Sequence, residues 1–308
     1  MAALDSAHGQ HRASLTQSIA LPDGPFVLLR DLIVQRTGVL FDDAKRSLLA
    51  DKLSSLVFEN GFTSFLDYYY LLRYDAGADA HWAQLLDRLA VPETYFWRQS
   101  EQFQTLAEIV APTHAAAHPG QPLRIWSAAC CTGEEPVSIA IALGEAGLLD
   151  PEKVRIIGTD ASALMVQRAR AASYGERSFR QLPSALRERW FEPHGDRWRP
   201  VEHVRSAIQY AVANLARVEE VAPLAEVDVI FCRNVFIYFS DDAIRQAART
   251  FAENIAPDGY LFLGAAESLT RLGVDFELAE VGGAFAYVRT GRRPIVERLA
   301  PGVMRAQG

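Results

Sequence analysis

The sequence predicts an α/β chain in which a Rossmann-like, largely parallel sheet ends in an antiparallel hairpin. A small all-α domain precedes the sheet, and a small β-subdomain insertion interrupts it. Three observations predict this plan. From residue 123 onward, continuous apolar runs alternate with helical stretches, as in strands buried on both faces by crossover helices. Near the end, two short apolar runs flank Gly282-Gly283, the signature of a tight hairpin. Ahead of residue 90, apolar residues recur at near-helical spacing.

The chain has 308 residues, a length that suggests two domains. It is 49% hydrophobic and 22% charged, so each domain can bury a core. Against 31 Lys and Arg stand 38 Asp and Glu, a formal net charge of −7. That balance speaks against general nucleic-acid binding, which leaves a basic footprint. The cysteines, Cys130, Cys131 and Cys232, show neither disulfide nor zinc spacing and read as reduced thiols of a cytoplasmic protein. Residues 1–24 have no apolar core run and are expected to be a disordered N-terminus, not a signal peptide. No run reaches the ~18–20 apolar residues of a membrane span. We therefore expect no direct membrane insertion; separately, a monomer is expected.

The elements follow in order. Residues 25–90 form the helical domain. Phe26, Leu29, Ile33 and Leu40 share a near-helical spacing, and Gly38 marks a turn. Asp42 or Asp43 can cap a helix carrying Leu48, Leu49, Leu53, Leu56 and Val57, which Asn60-Gly61 stops. Residues 64–74 read as another amphipathic helix. Residues 91–122 are a linker bearing the first site motif, and their last part, APTHAAAHPGQP (111–122), reads as a connector. The α/β domain occupies 123–290. Its strands are expected at 123–129, 154–159, 227–232 and 260–264, and its helices at 136–145, 162–172 and 241–255. The hairpin strands are 276–281 and 284–288. A terminal antiparallel hairpin on a Rossmann-like sheet is the plan of class I methyltransferases and differs from that of dehydrogenases. Within the interruption, 180–191 reads as a helix. Residues 198–201 and 206–212 read as strands of the partly antiparallel β-subdomain at about 190–212. Residues 291–308 are a poorly ordered tail.

Four segments carry candidate chemistry. In RIWSAACCTGEEPVSIAIAL (124–143) a buried strand runs into small residues and a helix. Small residues let backbone approach a ligand at the strand's carboxyl end. The GxGxxG phosphate fingerprint is missing, and Glu134 and Glu135 stand instead. The helix dipole alone favours carboxylates there. A cofactor with an amino group and a sulfonium but no phosphate also suits an acidic loop that repels NAD. In IIGTDAS (156–162), Asp160 ends a strand, placed either to hold a ribose diol or to cap a helix. In VIFCRNVFIYF (229–239), Arg233 and Asn234 follow an apolar strand, with Tyr238 a turn later. Cys232 can equally be a small core residue. In VPETYFWRQSEQF (91–103), the aromatics can be core, and Arg98 can be a snorkelling surface residue.

Together these segments resemble the chemotaxis receptor methyltransferases, the CheR family. The resemblance runs from about residue 26 to 289. It rests on ETYFWR, SAACCTGEEP, GTDAS, ANL (213–215), FCRNVFIYF and PDGYLFLGAAESL (257–269), with ARAASYGERSFRQLP (169–183) and RWFEP (189–193). It implies a helical N-terminal domain, a class I S-adenosylmethionine-dependent domain and a β-subdomain. It implies a protein-glutamate O-methyltransferase that uses S-adenosylmethionine, releases S-adenosylhomocysteine and acts on chemoreceptor signalling helices. By the matched motifs, Thr94, Arg98, Glu135, Asp160, Asn214, Leu215, Cys232, Arg233 and Asn234 contact the cofactor or line its site. Arg98 and Tyr238 lie closest to the transferring methyl. Pro92 stands where some members have a polar residue. No metal is implied. Lys45, Arg46 and Lys52, on one helix, offer a local surface for an acidic receptor helix or a merely solvated face. Three alternatives stay open: a receptor-like sensor outside chemotaxis, a non-catalytic cofactor-binding protein, and a small-molecule methyltransferase, which would leave the helical domain and the insertion unexplained.

Overall fold

The structure, a computed structural model, describes residues 19–292. The expectations for 1–18 and 293–308 lie outside the described residues. The chain divides into two compact units. One comprises Leu40–Leu89 with the residues up to Ile33; the other comprises Val34–Val39 and the residues from Ala90 onward.

The first unit is all helical: α1 (Asp23–Thr37), α2 (Arg46–Glu59), α3 (Phe65–Tyr74) and α4 (Ala78–Leu89), the end of α1 clustering with the second unit. Asp42 accepts from the Lys45 amide and caps a short 3-10 turn that leads into α2, and Ser64 caps α3. Phe26, Leu29, Leu49, Leu53, Tyr68 and Leu85 are fully buried. Lys52 Nζ donates to the carbonyls of Arg88 (2.9 Å) and Leu89 (3.4 Å) at the end of α4. A cation is favoured there by the exposed carbonyls of a helix C-terminus. Arg46 pairs with Asp23 and Asp43, and Lys45 with Asp42. The three cations suggested as a docking row thus all have intramolecular partners.

The second unit opens with α5 (Ser100–Thr105), a π turn (Leu106–Val110) and α6 (Ala111–Ala117). Residues 111–117 of the expected connector are therefore helix. Pro112 stands at the start of α6, directly after the π turn, and alanine favours helix. Then come β1 (Leu123–Ala128), α7 (Glu134–Glu145), β2 (Val154–Asp160), α8 (Ala163–Ala171), a 3-10 turn (Glu176–Phe179) and α9 (Ser184–Trp190). They are followed by β3 (Phe191–His194), β4 (Arg197–Pro200), α10 (Glu202–Ser206), β5 (Ile208–Val212), α11 (Val218–Val221), β6 (Val229–Cys232) and a 3-10 turn (Phe236–Tyr238). The chain continues with α12 (Asp241–Asn254), β7 (Tyr260–Leu263), β8 (Phe276–Val281) and β9 (Ala284–Arg289).

The main sheet has the order β5-β2-β1-β6-β7-β9-β8. Strands β5 through β7 are parallel, and β9 and β8 close the edge antiparallel. Gly282 and Gly283 both take positive φ (58° and 85°), as a tight hairpin turn demands. Alternate strand residues feed two apolar layers. Ile125, Phe231 and Phe262 pack with α7, and Trp126, Ile230 and Leu261 pack with α12.

The β-subdomain is smaller than expected. Only β3 and β4 form a separate antiparallel pair. Residues 208–212, expected in the insertion, instead pair parallel with β2 from Ile156↔Ile208 to Asp160↔Val212. The half-exposed pattern of β5 belongs to an edge strand of the main sheet, and an edge strand shows the same alternation as a strand in a small two-sided sheet.

Candidate active site

The five parallel strands all deliver their carboxyl ends to one edge, where open α/β sheets form ligand crevices. The loop after β1 reaches it through left-handed backbone at Ala129 (φ 58°), Cys131 (φ 52°) and Gly133 (φ 93°). Non-glycine residues there cost roughly 1–2 kcal/mol each, so the surroundings must hold them. Asp160 at the end of β2 contributes: Oδ2 accepts from the Cys131 amide and Oδ1 from the Ser162 amide, both at 2.9 Å. The cap of α8 is Ser162, which accepts from the Met165 amide. Asp160 therefore ties the β1 and β2 loops together, which the helix-capping reading does not describe.

Glu135, in the first turn of α7, accepts from Ser127 Oγ (2.6 Å) and from Arg233 Nε (2.6 Å). The two side chains of the ion pair are 12% and 2% exposed, so it is shielded from solvent screening. Arg233 Nη1 also donates to Gln102 Oε1 (2.9 Å), and Gln102 Nε2 donates to the Leu263 carbonyl (2.9 Å). The guanidinium lies 4.7 Å over the Phe103 ring. Segment 100–105, β1, α7, β6 and β7 are thereby joined around one buried cation.

The loop after β6 holds Asn234 at φ 60°. Here the carboxylate of Glu267, in the loop after β7, accepts four backbone amides. Oε2 takes Asn234 N and Gly264 N (both 2.7 Å); Oε1 takes Val235 N (2.9 Å) and Phe236 N (2.7 Å). A Cβ on Gly264 would lie 2.5 Å from Asn234 Nδ2 and 2.7 Å from Glu267 Oε2, so a larger residue there would displace the side chains that join the two loops.

Segment 91–100 lies across α7 and the 3-10 turn. Phe96 is fully buried among Tyr174, Phe179 and Phe191, and its amide donates to the Ser178 carbonyl (2.9 Å). The Trp97 amide donates to Ser138 Oγ (3.0 Å). Trp97 and Gln99 both have positive φ, which turns the segment sharply around Arg98. Arg98 is half-buried and stacks 5.3 Å over Tyr95, with one weak bond to the Glu93 carbonyl (3.3 Å). It has no carboxylate partner among the described residues.

Thr94 and Pro92 line a cavity of about 540 Å³ whose wall includes Thr132, Glu134, Arg168, Tyr174 and Arg197. Glu134 is 3% exposed and accepts from the Thr132 (2.6 Å) and Ser178 (2.9 Å) hydroxyls. Burial raises its carboxyl pKa above the ordinary range, opposed by those two hydrogen bonds and by Arg180. Burial likewise pushes the Cys131 thiol up to about 12 and raises Cys130 and Cys232, so all three are poor nucleophiles at neutral pH.

The fold thus places Glu135, Asp160, Cys232, Arg233 and Asn234 along one sheet edge. Asn214 follows β5, with Nδ2 donating to the Arg36 carbonyl (2.8 Å) and Oδ1 accepting from Ala216 N (3.0 Å). Leu215 is buried in the layer beside α12. Tyr238 closes the 3-10 turn after Asn234 and is half-buried. Arg98 and Tyr238 make no hydrogen bond with each other. The sequence reading passed over Ser127, Gln102 and Glu267. Glu267 lies inside the quoted PDGYLFLGAAESL stretch, so position in a motif was its only signal. No cluster of three metal-binding side chains occurs among the described residues. No helix among them is long and apolar enough to cross a membrane.

Glu134, Glu135, Asp160 and Glu267 gather around this edge with one buried arginine among the described residues, and each already accepts hydrogen bonds from the protein. That acidic balance, with bare backbone in the positive-φ loop, suits a cationic ligand better than an anionic one. The GxGxxG cradle that a pyrophosphate uses is missing.

Comparison with known proteins agrees. Residues 92–283 match the family model described as CheR methyltransferase, SAM binding domain, and residues 25–90 match CheR methyltransferase, all-alpha domain. Chemotaxis protein methyltransferase 2 of Vibrio cholerae is 33% identical over 273 residues, covering 88% of this chain and 94% of that relative. Chemotaxis protein methyltransferase 1 of Pseudomonas aeruginosa is 31% identical, covering 85% and 96%. The Escherichia coli chemotaxis protein methyltransferase is 31% identical, covering 86% and 91%.

Proposed function

The chain belongs to the CheR methyltransferase family, and from that premise we propose how its own residues carry out the reaction. The protein is a protein-glutamate O-methyltransferase that acts in the cytoplasm on the signalling helices of chemoreceptors. The observation that carries this reading is the convergence on one carboxyl edge of Glu135 from the start of α7, Asp160 from the end of β2 and Asn234 from the loop after β6.

S-adenosylmethionine, when bound, supplies a methyl group made electrophilic by its sulfonium. The acceptor is a glutamate carboxylate, whose ordinary pKa of about 4.3 leaves it ionised at neutral pH. The chain therefore has no need of a general base. That agrees with a sheet edge whose carboxylates hold loops in place. In this reading Asp160, at the end of β2, binds the ribose diol, and Glu135 with Arg233 keeps the β1 and β6 loops at a fixed separation. Thr94, Asn214 and Asn234 line the cofactor side, and the buried Leu215 and Cys232 pack behind it.

The protein's main work is alignment of the acceptor oxygen, the methyl carbon and the sulfur. Such positioning can supply on the order of 7–11 kcal/mol. Arg98 suits the task because its guanidinium has no carboxylate partner among the described residues and rests on Tyr95. It orients the incoming carboxylate, with Tyr238 donating beside it. Tight charge neutralisation by Arg98 would stabilise the ground state, because the nucleophile loses charge in the transition state. Positioning is thus the better use of this arginine.

Incubation with methyl-labelled S-adenosylmethionine and chemoreceptor cytoplasmic fragments tests the reading. Base-labile methyl esters on glutamates are expected. Cofactor binding with no label on any receptor fragment would overturn it.

A further inference from the structure

We propose that Glu267 is a positioning residue that sets Tyr238 by clamping the backbone between β6 and the following 3-10 turn. The proposal rests on the assignment of Tyr238 to the acceptor side made above.

The geometry is that of an anion seated in a nest of backbone amides. Three of the four donors are consecutive, Asn234, Val235 and Phe236; the fourth is Gly264. Asn234 holds a left-handed conformation (φ 60°) that most side chains avoid. The turn Phe236–Tyr238 begins where the three amides point, and Val235 lacks a side-chain cap for it. Glu267 therefore satisfies the amides that a capping side chain would otherwise take. The Tyr238 amide then donates to Val235 O (3.1 Å) and the Phe239 amide to Phe236 O (3.0 Å). The position of the Tyr238 ring is thus inherited from a turn whose first residues are held by Glu267. Hydrogen bonds to an ionised acceptor are the stronger kind, and both oxygens are used twice. Glutamine preserves the size but replaces one acceptor oxygen with a donor. It can serve at most one of the two amide pairs.

A double-substitution cycle on the full-length enzyme tests this, comparing Glu267→Gln, Tyr238→Phe and the two together for receptor methylation. Glu267→Gln should lower kcat on the order of 10- to 100-fold, as a misplaced reacting group does. In the Tyr238→Phe background the same change should cost much less, because the group being positioned has already lost its hydroxyl. Glu267→Asp keeps the anion on a shorter arm and should recover part of kcat. If Glu267→Gln lowers kcat equally in both backgrounds, or leaves it within about twofold of the parent, Glu267 is not positioning Tyr238. If Tyr238→Phe alone changes nothing, the assignment of Tyr238 is what fails. Should Glu267→Gln not fold, the Glu267→Asp variant carries the same cycle, with equal losses in both backgrounds again the contradicting result.

Discussion

Glu135 Oε2 lies 2.6 Å from Arg233 Nε, and this pair joins the start of α7 to the end of β6. The pair is almost fully buried, so its stability effect is asymmetric. Removing one partner strands the other charge away from water. Arg233→Ala should destabilise the second unit by about 3–5 kcal/mol. Combining Glu135→Gln with Arg233→Met should recover a large part of that loss. Urea unfolding of the three proteins measures both effects, and equal destabilisation by the single and double changes would contradict the ion-pair account.

A second prediction concerns pH. Burial raises the Glu134 pKa in the folded protein, so folding favours its protonated form. The stabilisation from that preference is complete below the unfolded carboxyl value of about 4.3 and is lost as pH rises through the folded value. Glu134→Gln removes the titration. The stability of the variant relative to the parent should therefore increase with pH across that window. A difference that stays constant with pH, measured by urea unfolding at each value, would contradict it.

Two other carboxylates, Asp160 and Glu267, mark how far the sequence can be read. The strands at 229–232 and 260–263 are legible because strands buried on both faces are continuous apolar runs. Asp160 is legible because it interrupts such a run at its carboxyl end. Glu267 is not, since its partners are backbone amides about 30 residues away that leave no trace in side-chain pattern. The buried state of Arg233 is hidden for a similar reason: its counterion and its Gln102 partner come from segments roughly 100 residues distant. β5 is misplaced because an edge strand and a strand of a small insertion share one alternation. Residues 111–117 are misread because Pro112 and the nearby glycine outweigh the alanines until the π turn before them is known.

In the first unit, Lys52 stabilises α4 by donating to its last carbonyls. Lys52→Ala should cost about 0.3–1 kcal/mol of stability, read as a lowered thermal midpoint. A loss of receptor methylation with unchanged stability would restore Lys52 to a docking role.

Arg98→Ala separates alignment from cofactor binding. It should lower kcat on the order of 100-fold while S-adenosylhomocysteine affinity stays within about threefold. Equal losses in both would place Arg98 in the cofactor site alone.

Calorimetric titration of the folded protein with S-adenosylhomocysteine, beside the Asp160→Ala variant, tests the central claim most directly. The account predicts one binding event per chain, weakened about 10- to 100-fold when the β2 carboxylate is removed. An absence of binding by the parent protein, or identical affinity in the variant, would contradict it.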